Sequence, residues 1–101
     1  MAQVRWVLAA QDDVREIHAY IARESRAAVA AMVRRIRAES ARLARYPEIG
    51  RAVSEYDNPE YGERIIGPYR LIYRYRQEAN LVRVLAVIHG SRTLPSVRSR
   101  E

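Results

Sequence analysis

Cysteine, lysine and phenylalanine are all absent from this chain of 101 residues. Without cysteine there is no disulfide, no thiolate nucleophile and no sulfur ligand for a metal, a composition that fits a reducing cytoplasm. Without lysine no step can use an amine as base or Schiff-base former. All 18 basic residues are arginine, which stays protonated and serves only as a cation. Two histidines, His18 and His89, offer no ligand spacing for a metal. The four glycines are scattered, so no phosphate-binding loop follows a strand. No cofactor is expected. No run approaches the ~18 consecutive apolar residues of a membrane span. The first residues lack a basic-then-apolar leader with a small-residue cleavage site. The expectation is a cytoplasmic protein without a membrane partner.

What is present is charge of one sign. The formal net charge is +6, against only 12 acidic residues, and points to an anionic partner, nucleic acid or an acidic polypeptide. The length suits one domain with a single core, burying roughly 60–70% of the unfolded surface. No repeat, low-complexity tract or linker divides it.

The last third carries the clearest pattern. Residues 63–92 read as three successive antiparallel strands. In the middle one Tyr69, Leu71, Tyr73 and Tyr75 fall on one face, and Arg70, Ile72, Arg74 and Arg76 on the other, because side chains alternate along a strand. Residues 81–89 are apolar almost throughout, as a central strand should be. Gln77-Glu78-Ala79-Asn80 between them has hairpin-loop length and polarity.

Upstream, residues 3–8 are a short strand candidate with Val4, Trp6 and Leu8 on one side. A helix over residues 10–24 places Val14, Ile17 and Ile21 on one stripe. Asp12 and Asp13 fall in its first turn, with Asp13-x-x-Glu16 as a capping box. His18 beside the stripe reads as a structural histidine. Ser25 is an N-cap for a second helix over residues 26–46, whose stripe is Val29, Met32, Val33, Ile36, Ser40 and Leu43. Arg34, Arg35, Arg37, Arg42 and Arg45 lie mostly off that stripe. Such a face is either merely solvated or a nucleic-acid patch, and Glu39 interrupts it. Pro47 ends the helix, and residues 52–62 form a polar, turn-rich loop.

The expected architecture is α+β: a β-α-α-β-β-β domain with an antiparallel sheet and a helical hairpin packed on one face. Val14, Ile17, Ile21, Val29, Met32, Val33, Ile36, Leu43, Leu71, Tyr73, Val84, Ala86 and Ile88 are expected inside. Arg70, Arg74 and Arg76 are then left on an open sheet face, with Arg70 and Arg92 meeting at its mouth. The alternative is that these arginines pair with Glu55, Glu60 or Glu63 and only hold the loop down.

The spacing Trp6…Ala10-x-x-Asp13…Ile17…Tyr20-Ile21, then Leu43-x-x-Tyr46-Pro47-x-x-Gly50-Arg51, Tyr69-Arg70-Leu71-Ile72-Tyr73 and Val87-Ile88-His89-Gly90-Ser91-Arg92, resembles the RelE/ParE toxin superfamily of bacterial toxin–antitoxin modules. The resemblance runs over nearly the whole chain. It implies one of two activities, mRNA cleavage on the ribosome (RelE-like) or poisoning of DNA gyrase (ParE-like). It also implies a cognate antitoxin with a DNA-binding N-terminal domain and an acidic C-terminal segment.

RNA cleavage needs a base for the 2′-hydroxyl proton, an acid for the leaving oxygen and cations for the phosphorane. By the resemblance Arg70 and Arg92 stand where RelE clamps phosphate, and Arg64 where it places a sheet-edge cation. The tail after Arg92 has no Tyr or His, and Arg98 stands about where the RelE tyrosine falls. Only His89 and Glu63 remain for proton transfer. The resemblance therefore favours the gyrase-directed branch, with Arg64, Arg70, Arg74, Arg92 and Arg98 as target- or anion-binding residues. Arg34, Arg37, Arg42, Arg70 and Arg74 are the expected contacts for the acidic antitoxin segment. A non-toxic binding module is the third possibility.

Overall fold

The computed structural model describes all residues 1–101. Strand β1 (Gln3–Trp6) leads into helix α1 (Leu8–Ala22), and helix α2 (Arg26–Arg45) returns antiparallel to it. The short strand β2 (Arg51–Ala52) precedes a meander of β3 (Tyr61–Ile66), β4 (Tyr69–Arg76) and β5 (Leu81–His89). The α+β class and the helical hairpin are as expected, β2 is a strand beyond the expected β-α-α-β-β-β order, and no helix is long and apolar enough to cross a membrane.

Local chemistry explains most boundaries. Ser25 Oγ accepts from the Ala28 N–H at 3.1 Å, the expected N-cap of α2. Tyr46, just before Pro47, leaves helical geometry at φ −131°. After a 3-10 turn over Gln77–Ala79, Asn80 takes φ 48°, a left-handed conformation that Asn tolerates. Helix α1, however, begins at Leu8 with Val7 as an N-cap that makes no side-chain bond. The expected capping box of Asp13 and Glu16 does not form, because Asp13 lies too far into the helix. Leu8 accordingly belongs to the helix and is exposed rather than on the strand's inner side.

The sheet order is β1-β5-β4-β3-β2. It is mixed rather than antiparallel throughout, since β1 runs parallel to β5 with Gln3↔Leu81 to Trp6↔Val84 in register. A parallel pair needs a long crossover, and the helical hairpin plus the meander supplies one. Register slips between Ile72 and Tyr73, so Leu85 of β5 is an extra residue. This bulge turns both Leu85 and Ala86 toward the face opposite the helices.

Two cores result. Between helices and sheet lie Met32, Ile36, Leu43, Ile66, Leu71, Tyr73, Val82, Val84 and Val87, with Val14, Ile17 and Ile21 only half-buried. The opposite face carries a second core of Val53, Tyr61, Ile72, Leu85, Ala86, Ile88 and Val97. The open cationic face expected from the β4 alternation is therefore not open. Ile72 sits between Arg70 and Arg74, and the loop after β2 and the C-terminal tail close over it because an apolar β5 has two faces to bury.

Candidate functional site

Arg70 and Arg74 point where the alternation put them, but both meet carboxylates, whereas Arg76 at the exposed end of β4 has no ion-pair partner. Glu55 accepts from Arg70 Nη1 and Nη2 at 2.8 and 2.9 Å, a bidentate pair. Glu63, 4% exposed, accepts from Arg70 Nε at 2.5 Å on one oxygen and from Arg51 Nε at 2.8 Å on the other. Arg74 donates to Glu60 at 2.6 and 2.9 Å and to Glu101 at 3.0 Å, with its guanidinium 5.2 Å from the centre of the Tyr61 ring. Arg64 donates from Nε to Glu39 of α2 at 2.8 Å.

These pairs shift the groups in the directions Coulomb's law requires. The bidentate bond from Arg70 holds the Glu55 carboxyl down at about 2. Arg70 is raised, chiefly by Glu55 and then Glu63. Arg74 is raised chiefly by Glu60, and Arg64 by Glu39. Burial, with the neighbouring Glu101 carboxylate, raises the Tyr61 phenol.

The motifs of the sequence converge on this cluster. The Gly50 N–H donates to the Tyr73 hydroxyl at 2.9 Å. A Cβ on Gly50 meets that hydroxyl at 2.5 Å, and one on Gly62 meets the same ring at 2.7 Å, so both positions must be bare for Tyr73 to lie flat between them. Burial of Tyr73 raises its phenol. Gly50-Arg51 thus docks the end of the helical hairpin onto β4 through Tyr73 and onto β3 through Glu63. Asp13 has a comparable role at the far edge. Beyond Val84 strand β5 outruns β1, and Asp13 Oδ2 accepts the Val87 N–H at 3.0 Å. Arg100 bonds both Asp13, at 2.7 Å, and the Leu85 carbonyl, at 3.1 Å. Sequence reasoning missed Asp13, Arg51, Arg100 and Glu101; only Asp13 and Arg51 had a signal, their places in the motifs.

Arg92 does not join Arg70. It is exposed and lines a groove of about 620 Å³ between α1 and the ends of β4 and β5, with Glu16, Ile17, Tyr20, Tyr69 and His89. In that groove the His89 ring stacks edge-on against Tyr69 at 5.7 Å, and Nδ1 accepts the Ser91 N–H at 3.1 Å. That bond leaves Nε2 as the protonated nitrogen of the neutral ring. Arg98 is exposed in the tail. His18 is half-buried, and its Nε2 has no hydrogen-bond partner.

The expected antitoxin contacts fall on two separate surfaces. Arg70 and Arg74 lie beneath the loop on one side of the sheet, whereas Arg34, Arg37 and Arg42 are exposed on α2 on the other. Arg34 and Arg37 have no ion-pair partner, and Arg42 has one at 3.8 Å, Glu39.

A family model described as "ParE toxin of type II toxin-antitoxin system, parDE" matches residues 4–94. A search of curated proteins finds no match. Among solved structures, a chain from the crystal structure of the toxin–antitoxin complex RelBE2 of Mycobacterium tuberculosis is similar at 24% identity and a TM-score of 0.60. That alignment covers 87% of this chain and 96% of that one. The structural likeness carries the fold alone; the sequence match spans every motif above, from Trp6 to Arg92. The chain belongs to the ParE toxin family of type II toxin–antitoxin systems.

Proposed function

We propose that this toxin-family member acts by binding DNA gyrase rather than by cutting RNA, and that a cognate antitoxin neutralises it. The observation that carries the reading is the saturation of Glu63. Both of its oxygens are held by guanidiniums in a buried site. A carboxylate buried and held in this way is out of reach of a substrate 2′-hydroxyl, and the arginine beside it is already neutralised. A toxin that works by occupying a protein surface needs no proton-transfer group, only a rigid frame, and the Glu63 and Asp13 clamps provide one.

The antitoxin enters on charge and on kinship, since the similar RelBE2 chain was solved in a toxin–antitoxin complex. Buried apolar anchors supply most of the affinity of such a segment, while charge supplies rate and specificity. The α1 groove offers Ile17, Tyr20 and Tyr69 to anchors.

One observation favours the ribosomal alternative: the same groove places an accessible imidazole, His89, with an unpaired cation, Arg92. The deciding experiment adds purified protein separately to gyrase with supercoiled DNA and to translating ribosomes. Trapped gyrase–DNA cleavage complexes are the expected result. Codon-phased mRNA cuts that disappear in His89→Ala overturn it. Growth unaffected by expression without an antitoxin makes the protein a passive binding module.

A further inference from the structure

The carboxylates divide the arginines into two populations. Arg51, Arg64, Arg70, Arg74 and Arg100 are spent on ion pairs that hold the fold. The unspent charge concentrates on α2. Every exposed residue of that helix is arginine or alanine, the arginines being Arg26, Arg34, Arg35, Arg37, Arg42 and Arg45. Its single acid, Glu39, is mostly buried; it bonds Arg64 and also lies 3.8 Å from Arg42, the one arginine of this set with a carboxylate beside it.

At about 100° per residue, Arg26 and Arg37 fall on one flank of the outer face and Arg35 and Arg42 on the other, with Arg34 and Arg45 between them. The two flanks stand about 160° apart on a cylinder roughly 10–12 Å across, close to the ~12 Å width of a B-form major groove. Arg34 and Arg45 are about 16 Å apart along the axis at 1.5 Å per residue. Between the guanidiniums are only alanine methyls, which let the helix backbone approach closely.

We propose that the outer face of α2 binds the phosphate backbone of duplex DNA, without sequence preference, by lying in or across the major groove. This goes beyond the gyrase reading and does not depend on it. The composition of the face decides the class of partner. A tight protein interface is built around aromatic, aliphatic or arginine anchors seated in pockets, and apart from its evenly spread arginines this face offers only alanine methyls. Single-stranded nucleic acid is gripped by aromatic platforms, again missing here. An A-form RNA duplex has a deep, narrow major groove that a helix does not enter, whereas B-DNA places phosphates on both sides of one. Guanidiniums on both flanks with nothing else between them match that arrangement.

The test is fluorescence anisotropy of a two-turn DNA duplex titrated with the whole protein at several salt concentrations. The triple variant Arg34→Gln, Arg37→Gln, Arg45→Gln should lose roughly tenfold or more in affinity near physiological salt, and its salt slope should fall by about 0.9 per lost phosphate contact. The control is Arg5→Gln, Arg76→Gln, Arg83→Gln. These exposed arginines lie on the sheet face away from the helices and remove the same net charge. It should bind nearly as the parent does. Glutamine preserves helix propensity, so unchanged circular dichroism and Tm confirm that loss of binding is not loss of fold. Equal loss in both triples reduces the effect to net charge and overturns the proposal. Absence of salt-dependent binding by the parent, or tighter binding of an RNA duplex or of a polyglutamate peptide to this face, overturns it equally.

Discussion

Removing the Glu63 carboxylate should expose how unequal its two partners are. Arg70 is 12% exposed and Arg51 is 66% exposed, yet each donates one Nε bond to Glu63. Truncation by Glu63→Ala leaves a buried guanidinium short of an acceptor, and breaking such a pair costs about 3–5 kcal/mol. Glu55 still holds the far side of Arg70 bidentately, which places the expected loss near the lower end, about 3 kcal/mol. Glu63→Gln retains one acceptor and turns an NH2 toward the other guanidinium. The amide oxygen should stay with Arg70, because Arg51 can swing into water at a cost below about 1 kcal/mol. The isosteric change should therefore cost about 1–2 kcal/mol, one ion-pair hydrogen bond weakened to a bond between a cation and a neutral amide. Urea unfolding at neutral pH, followed by far-UV circular dichroism, measures both. Double-mutant cycles with Arg70→Met and Arg51→Met then separate the couplings, expected at about 2–3 and below about 1 kcal/mol. A Glu63→Ala loss under 1 kcal/mol, or a coupling to Arg51 as large as that to Arg70, refutes the idea that Glu63 anchors the sheet through Arg70.

Three further outcomes follow from the same contacts. Glu55 titrates at about 2 instead of 4.5 in the folded chain, so its contribution is complete above pH 4.5 and is lost as pH falls toward 2. Glu55→Gln should flatten that limb of the stability–pH curve, and an unchanged limb counts against the pairing. Gly50→Ala drives a Cβ into the Tyr73 hydroxyl and the Glu63 carbonyl, and should cost about 1–3 kcal/mol in denaturant unfolding. Leu71, fully buried between helices and sheet, should cost about 2–5 kcal/mol on truncation to alanine; a value near zero contradicts the assignment of the two β4 faces.

What was legible in the sequence is what depends on near neighbours. The Ser25 cap, the stripe of α2 and the alternation along β4 each need only a few residues of context, and each stands in the structure. The capping box failed by a small displacement: α1 starts at Leu8, which carries Asp13 out of the first turn and into contact with Val87, 74 residues away. The destination of the β4 arginines was the larger loss. Both destinations, open face and paired face, were readable, and the choice turned on Glu55 and Glu101, 15 and 27 residues from their partners, which the local pattern does not place. The parallel pairing of β1 was invisible for the same reason, since a four-residue strand carries no record of which edge it joins.

The two carboxylates on Arg70 also differ in how easily they leave. Glu63 is buried and fixed by Arg51, whereas Glu55 is 40% exposed on a loop. An arriving anion meets Glu55 first, and exchanging its carboxylate for a phosphate replaces one anion on Arg70 with another, so the guanidinium is never left unpaired. Arg70 stays aimed during the exchange, since Glu63 keeps its Nε. Arg74 is harder to free: Glu60 and Glu101 must both withdraw, and Glu101 also accepts the Tyr61 hydroxyl at 2.8 Å. If Arg70 is an anion-binding residue, Glu55→Gln should raise the affinity of this face for pyrophosphate, read from the Arg70 Nε–Hε resonance, while Glu60→Gln leaves it unchanged. Failure of Glu55→Gln to raise it would make the Arg70 cluster purely architectural, a lock between the loop and β4, and would leave the groove beside Arg92 and the outer face of α2 as the surfaces on which this protein meets its anions.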